Sequence, residues 1–227
     1  MAHTTLESSV LPDTRRRRRV PRGAKIILAL VVGFTALGLW LASGPEVRDL
    51  GIADNLAKAG LQARWARGEV VVLVRHAERC DRSKAECLGA ADGITVDGSL
   101  AATAAGAGIQ RLGLQQAQIF ASPLTRTRQT AEFMFGKAAD TRDWLAQCDK
   151  GFAGDVIAHK VTGKNLVLVT HSGCVDQFER HLHVPGGERS SAYAQALFAT
   201  VDSGGKARIL GSMNAYAWQR AQGLVAP

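Results

Sequence analysis

Two stretches of this chain read as strands buried on both faces, Val70-Val71-Val72-Leu73-Val74 and Leu166-Val167-Leu168-Val169-Thr170. A strand with one wet face alternates apolar and polar side chains; these runs do not alternate, so neither face meets water. Such strands belong to a sheet covered by helices above and below. The intervening pattern agrees. Ser99 is placed to cap a helix of small residues over Leu100 to Leu112, closed by Gly113, with a short strand over Gln118 to Ala121 and a second helix over Thr125 to Phe135. After the second run, a helix is predicted from Val175 to Leu182. Two late antiparallel strands follow, Tyr193 to Val201 and Ala207 to Leu210, turning at Gly204-Gly205. Strands alternating with helices at these spacings predict an α/β fold, a layered sheet with helices on both faces.

The rest of the 227 residues organises around that domain. Composition is ordinary for a globular chain, with 46% hydrophobic and 21% charged residues, which excludes wholesale disorder. The net charge of +8 is concentrated at one end: residues 1–25 hold seven Arg and Lys against Glu7 and Asp13, or +5, leaving +3 for everything after. Next comes Ile26 to Ala42 (IILALVVGFTALGLWLA), 17 uncharged residues with Trp40 near the end. That length is at the short end for a transmembrane helix. Arginines beside an apolar segment stay cytoplasmic, so the expected layout has four parts: a basic tail (1–25), an anchor (26–42), a linker helix (43–68) and an exported domain (69–227). A cleaved signal at Ala42-Ser43-Gly44 is the alternative; the 25-residue basic region and bulky Leu39-Trp40-Leu41 favour the anchor. Nucleic-acid binding is not expected, because no aromatic residues interleave with the arginines. In the linker, Leu50, Leu56 and Leu61 form a ragged apolar face suited to packing on the domain.

Cys80, Cys87, Cys148 and Cys174 all fall on the expected exported side, where disulfides persist. Without a CxxC spacing zinc is a poor reading. Cys80 with Cys87 and Cys148 with Cys174 is one of three possible pairings.

Each buried run ends in a histidine, Arg75-His76 after the first and His171 after the second. In α/β sheets the ligand crevice lies just beyond the carboxyl ends of such strands. Between them, Ser122-Pro123-Leu124-Thr125-Arg126 follows a third strand end and opens a helix, placing Arg126 where it can share an anion with both histidines. A neutral imidazole attacks phosphorus well near pH 7, so His76 is the candidate nucleophile, with Arg75, Arg126 and His171 as candidate grips on phosphoryl oxygens. No metal or other cofactor is called for; DxD and HExxH patterns are absent, and His181-Leu182-His183 is a weak metal motif. Arg79 and Arg82 read equally as substrate contacts or as an ion-paired loop, Arg128 as structural, and Trp144 and Trp218 as core.

These residues resemble the histidine phosphatase superfamily, also called the phosphoglycerate-mutase-like fold, in three motifs: Arg75-His76-Ala77-Glu78, Ser122-Pro-x-x-Arg126-x-x-Gln-Thr-Ala and Thr170-His171-Ser172-Gly173. The resemblance covers about residues 69 to 211, and within it Thr95 and Gly98 look like the family's turn into the first helix. The string from Val71 to Gly98, with Leu145-Ala-Gln-Cys148 and the four cysteine positions, resembles the lipopolysaccharide core heptose(II)-phosphate phosphatase branch. The resemblance implies a phosphomonoesterase working through a phosphohistidine on a phosphorylated sugar, membrane-associated or periplasmic. One departure stands out. Many members carry a glutamate acid in an L-x-E-x-x-x-G pattern, where this chain has Leu145-Ala146-Gln147-Cys148-Asp149-Lys150-Gly151, and the aspartate that another branch places after the second histidine is Ser172 here. Glu78 and Asp149 are the candidate general acids. The rivals are a phosphohistidine or small sugar-phosphate phosphatase of the same superfamily, and a non-catalytic phosphate-ligand-binding domain.

Overall fold

The computed structural model describes residues 22–42, 44–52, 54–189 and 191–221. The chain divides into two units, Met1–Ser43 and Gly44–Pro227. In the first, the described element is helix α1 (Arg22–Ala42), 21 residues long. Along it Ile26, Ile27, Leu28, Leu30, Val31, Val32 and Phe34 are all more than half exposed. Among the described residues, no helix is long and apolar enough to cross a membrane. The side chains of Leu37, Leu39, Trp40 and Leu41 lie outside the described ones, as do residues 1–21 with the arginine run, so the expected tail and interfacial tryptophan fall there too.

The second unit runs α2 (Asn55–Lys58), α3 (Leu61–Ala66), β1 (Val70–Arg75), α4 (Val96–Arg111), β2 (Ala117–Ala121), α5 (Thr125–Phe135), β3 (Asp140–Thr141), α6 (Phe152–Ala158), β4 (Asn165–Thr170), α7 (Ser172–His181), β5 (Ala196–Val201), β6 (Ala207–Met213) and α8 (Ala215–Ala221). Its six-stranded sheet has the order β3-β2-β4-β1-β5-β6. The pairs β2·β3, β2·β4 and β1·β4 are parallel, whereas β1·β5 and β5·β6 are antiparallel. The two unbroken apolar runs are the central strands β1 and β4. Their odd and even residues part cleanly: Val70, Val72 and Val74 join a core with Ile109, Met134 and Trp218, and Val71 and Leu73 join another with Phe152, Val156 and Phe178. Each face therefore has its own helical cover, which is why neither strand alternates.

Small residues in α4 serve contact distance. A Cβ on Gly106 would lie 2.0 Å from the Met134 carbonyl oxygen, and one on Gly108 would lie 1.9 Å from the Trp218 ring. The helix docks against α5 and α8 only because those positions carry no side chain.

Several boundaries differ from expectation. The linker expected as a helix over 43–68 is not one helix; Asp54 (φ 68°) and Gly60 (φ 61°) take left-handed backbone that ends any regular helix, leaving the short α2 and α3. The leucine pattern still docks, with Leu50 and Leu61 buried and Leu56 half-buried against the same core. Trp65 is buried beside them and donates its indole N–H to the Gly113 carbonyl at 2.7 Å. Helix α4 is capped by Thr95, whose Oγ1 accepts from the Gly98 N–H at 2.9 Å, so it starts earlier than a Ser99 cap predicts. Helix α7 starts at Ser172, with His171 itself as N-cap residue, rather than at Val175. Strand β5 begins at Ala196, three residues late, because Ala194 takes φ 54°. The short β3, α6 and α8 were not expected at all; each has too few residues for a periodicity to register.

Candidate active site

The site is built at the carboxyl ends of three adjacent parallel strands. Register pairs Arg75 of β1 with Thr170 of β4, so the residues that follow, His76 and His171, emerge side by side. Their rings meet edge to face with centroids 5.4 Å apart. On the other flank β2 pairs with β4 and delivers Ser122, and one residue into α5 comes Arg126. The structure brings His76, His171 and Arg126 together, and the charge of Arg75 reaches His76.

His76 is buried, and its backbone N–H donates to the Thr170 carbonyl at 2.9 Å. Its ring Nδ1 lies 2.8 Å from the Ala77 carbonyl oxygen, which can only accept. That bond fixes the proton on Nδ1 and leaves the Nε2 lone pair free, the tautomer a nucleophile needs. Burial lowers the His76 pKa to about 3; the Ala77 bond opposes this, while His171, Arg126 and Arg75 add to it. The imidazole is therefore neutral across the physiological range.

His171 is set by two contacts. An Arg126 Nη2 donor lies 3.4 Å from Nδ1, which must accept, so Nε2–H donates to Ser122 Oγ at 2.9 Å. Burial and then the charges of Arg126 and Arg79 bring its pKa down to about 4. Ser122 is fully buried, and its role in orienting the second histidine was legible only as a letter of the motif. Thr130 links the two flanks: its hydroxyl donates to the Arg126 carbonyl at 2.6 Å and accepts from the Ala77 N–H at 2.9 Å.

The two arginines are poised for an anion. Arg75 donates from Nη1 to the Ser191 carbonyl at 2.5 Å, and its guanidinium lies 3.9 Å from the centroid of the Tyr193 ring. Burial lowers the pKa of both guanidiniums. Each keeps a buried Nε–H without a protein partner. Buried donors of that kind call for an acceptor, and a phosphoryl group supplies several oxygens at once. Tyr193 was missed from sequence, where it read as strand; it also lies 5.7 Å, ring to ring, from His76.

The two candidate acids are engaged in local hydrogen bonds. Asp149 is exposed and its carboxylate accepts from the Gly151 N–H at 2.8 Å, a local turn. Glu78 is half-buried and accepts from the Thr95 hydroxyl at 2.9 Å. Neither makes a hydrogen bond or ion pair to His76, Arg75, Arg126 or His171 among the described residues. Of the other arginines, Arg79 is ion-paired to Asp81 while its charge still reaches Arg126 and His171. Arg128 is exposed. Trp218 is core, and Trp144 stacks on His159 with centroids 4.6 Å apart. Among the described residues no group of three His, Cys, Asp or Glu side chains could hold a metal. The disulfides are Cys80–Cys87 and Cys148–Cys174.

These burials have a pH signature. His76 and His171 have folded pKa values of about 3 and about 4, below the ordinary 6.5. The unfolded chain takes up their protons first, so their contribution is intact above pH 6.5 and is lost as pH falls towards 4. Glu179, in α7, works the other way: burial raises its pKa from 4.5 to about 7, so it costs stability as pH rises from 4.5 to 7. Between pH 4.5 and 6.5 the two histidines and the one carboxyl leave a net single proton, a slope of about 1.4 kcal/mol per pH unit. Glu179→Gln is expected to double that slope in a series of pH-dependent melts; an unchanged slope would contradict the assignment.

The family model described as "Histidine phosphatase superfamily (branch 1)" matches residues 71–151. Curated proteins named lipopolysaccharide core heptose(II)-phosphate phosphatase, from Salmonella newport (strain SL254) and Salmonella typhimurium (strain LT2), are 30% identical over 181 residues, covering 78% of this chain and 84% of theirs. Among solved structures, the protein histidine phosphatase SixA complexed with tungstate superposes with a TM-score of 0.51 at 16% identity, covering 65% of this chain and 97% of that one, a likeness of fold. With the paired histidines and arginines at the strand ends, these findings establish that the chain belongs to the histidine phosphatase superfamily and is a phosphatase of that family.

Proposed function

We propose that this chain is a metal-independent phosphomonoesterase that works through a phosphohistidine on His76. Its substrate in this reading is a phosphorylated sugar, a heptose phosphate of the lipopolysaccharide core. The observation that carries the mechanism is the state of His76: neutral, its proton held on Nδ1 by Ala77, its Nε2 free, beside two half-buried arginines that each keep a buried Nε–H without a partner. Nε2 attacks phosphorus, the N–P bond forms and the P–O bond to the sugar breaks, the leaving oxygen departing as the alcohol after taking up a proton from solvent water. Water then attacks phosphorus, the N–P bond breaks and inorganic phosphate leaves. Arg75, Arg126 and His171 stabilise the loose transition state in both steps by positioning and charge. A neutral, oriented nucleophile has no use in a domain that only binds phosphate.

The heptose phosphate rests on the names of the curated relatives. The same reading places the domain in the periplasm, held to the inner membrane by α1 with the basic tail inside. The arginine run, the apolar 26–42 segment and two disulfides support that placement. The test is an assay of the full-length chain with EDTA on a heptose phosphate and on an aryl phosphate, followed by alkaline quench of labelled enzyme. Turnover of both, with label that survives alkali and is lost in acid, is expected of phosphohistidine. Label stable in acid, or turnover abolished by EDTA, would overturn the mechanism.

A further inference from the structure

Beside the histidine pair lies an open cavity of about 400 Å³ lined by Ser172, Gly173, Asp176, Glu179, Arg189 and Ser191. Both of its edges belong to the catalytic cluster. Ser172 and Gly173 are the first residues of α7, directly after His171, and the Ser191 carbonyl is the acceptor that holds Arg75. The cavity thus adjoins the residues that follow His171 and the carbonyl that holds Arg75, the side on which the ester's other group is to be accommodated.

Its polar groups are not a random surface. Glu179 is 1% exposed, and its Oε1 has no hydrogen-bond partner; the Nε of Arg189 is likewise buried without one, 3.4 Å from Asp176. Leaving a buried carboxyl oxygen unpaired is unfavourable, and nothing in the fold of α7 requires it. Asp176 is already shared between Arg180 and Arg189. The set therefore offers carboxyl acceptors, a guanidinium donor and serine positions close together, the mixed donor and acceptor array that vicinal hydroxyls satisfy. Arg189, the guanidinium in the lining, is already paired with Asp176, so the lining offers no unengaged cation to a second anionic group.

We propose that this cavity is the leaving-group subsite, and that Asp176, Glu179 and Arg189 select phosphate esters of neutral polyhydroxy compounds over esters carrying a further negative charge. The proposal rests on the phosphatase reading above. With Glu179 partly protonated near neutrality, its carboxyl both donates to and accepts from a hydroxyl. The groups facing it are Asp176, which opposes its ionisation, and Arg189, which favours it.

The test compares three esters on the full-length chain: a sugar phosphate, 3-phosphoglycerate and an aryl phosphate. The parent is expected to favour the sugar phosphate over 3-phosphoglycerate by tenfold or more in kcat/KM. Glu179→Gln is expected to lower the ratio of sugar phosphate to aryl phosphate tenfold, mainly through KM. Asp176→Asn, at a partly exposed position where folding is not at risk, is expected to narrow the preference against 3-phosphoglycerate at least fivefold. A parent active on all three whose ratios move less than twofold in both variants overturns the subsite alone, as does a parent that prefers 3-phosphoglycerate. A parent that turns over none of them overturns the phosphatase reading and the subsite with it.

Discussion

Replacing His76 with alanine is expected to lower kcat/KM on every phosphate ester by at least ~10³-fold, a loss of about 4 kcal/mol of transition-state stabilisation. The size follows from what the side chain does. Removing one phosphate grip weakens binding and charge stabilisation but leaves a reaction path, whereas removing Nε2 removes the atom to which phosphorus is transferred. No neighbour can substitute, because the His171 Nε2 is committed to Ser122 and its Nδ1 to Arg126. The fold should survive, since His76 donates one ring hydrogen bond, to its own neighbour Ala77, and its backbone N–H to Thr170 is kept. Phosphate binding is retained through the arginines. The measurement is therefore paired: steady-state kinetics, and covalent labelling that should vanish while a phosphate-induced rise in Tm persists. A His76→Ala protein that retains a tenth of the parent's activity would show that phosphorus is attacked by something else.

The parts of this site that were legible in the sequence are those that short-range pattern dictates. β1 and β4 lack polar alternation because both faces are covered, and the same topology puts the residues after them at the crevice, so His76 and His171 could be placed before any coordinates. Arg126 was legible because a strand, a short turn and a helix follow within ten residues. Tyr193 was not, since the loop before β5 has no period and its contact with Arg75 spans 118 positions in sequence. Glu179 was hidden for another reason. On an amphipathic helix a glutamate reads as a solvent-facing charge, and only the packing of α7 reveals that this one is 1% exposed. The candidate acids were read from position along the chain. Glu78 follows His76 by two residues and Asp149 follows the Leu145-Ala-Gln-Cys148 motif, and the hydrogen bonds their carboxylates make are local, to Thr95 and to Gly151.

Reduction or removal of Cys148–Cys174 should be the most costly change outside the catalytic cluster. The bond spans a separation of 26 residues, for which loss of loop-closure constraint on the unfolded chain corresponds to roughly 3–4 kcal/mol, or a fall in Tm on the order of 10 °C for a domain of this size. The consequence for activity comes from where the bridge lands. Cys174 is the third residue of α7, and His171 is that helix's N-cap residue; Cys148 Cβ lies within 3.3 Å of where a side chain on Gly173 would start. The bridge thus holds the segment after the Asp143–Ala146 turn against the start of the helix that aims His171. In Cys148→Ser/Cys174→Ala, His171 and the Arg126 contact should loosen while Arg75 and His76, carried by β1, stay in place. Activity is expected to fall about tenfold with the phosphohistidine still formed, a pattern that separates this variant from His76→Ala. Cys80–Cys87, with a separation of only 7 residues, constrains the unfolded chain less and sits after β1 rather than under α7. Its loss should cost roughly 2–3 kcal/mol by the same model. If reduced and oxidised parent melt at the same temperature, the bridge is not what holds α7; if they differ and activity does not follow, His171 is aimed by Ser122 and Arg126 alone.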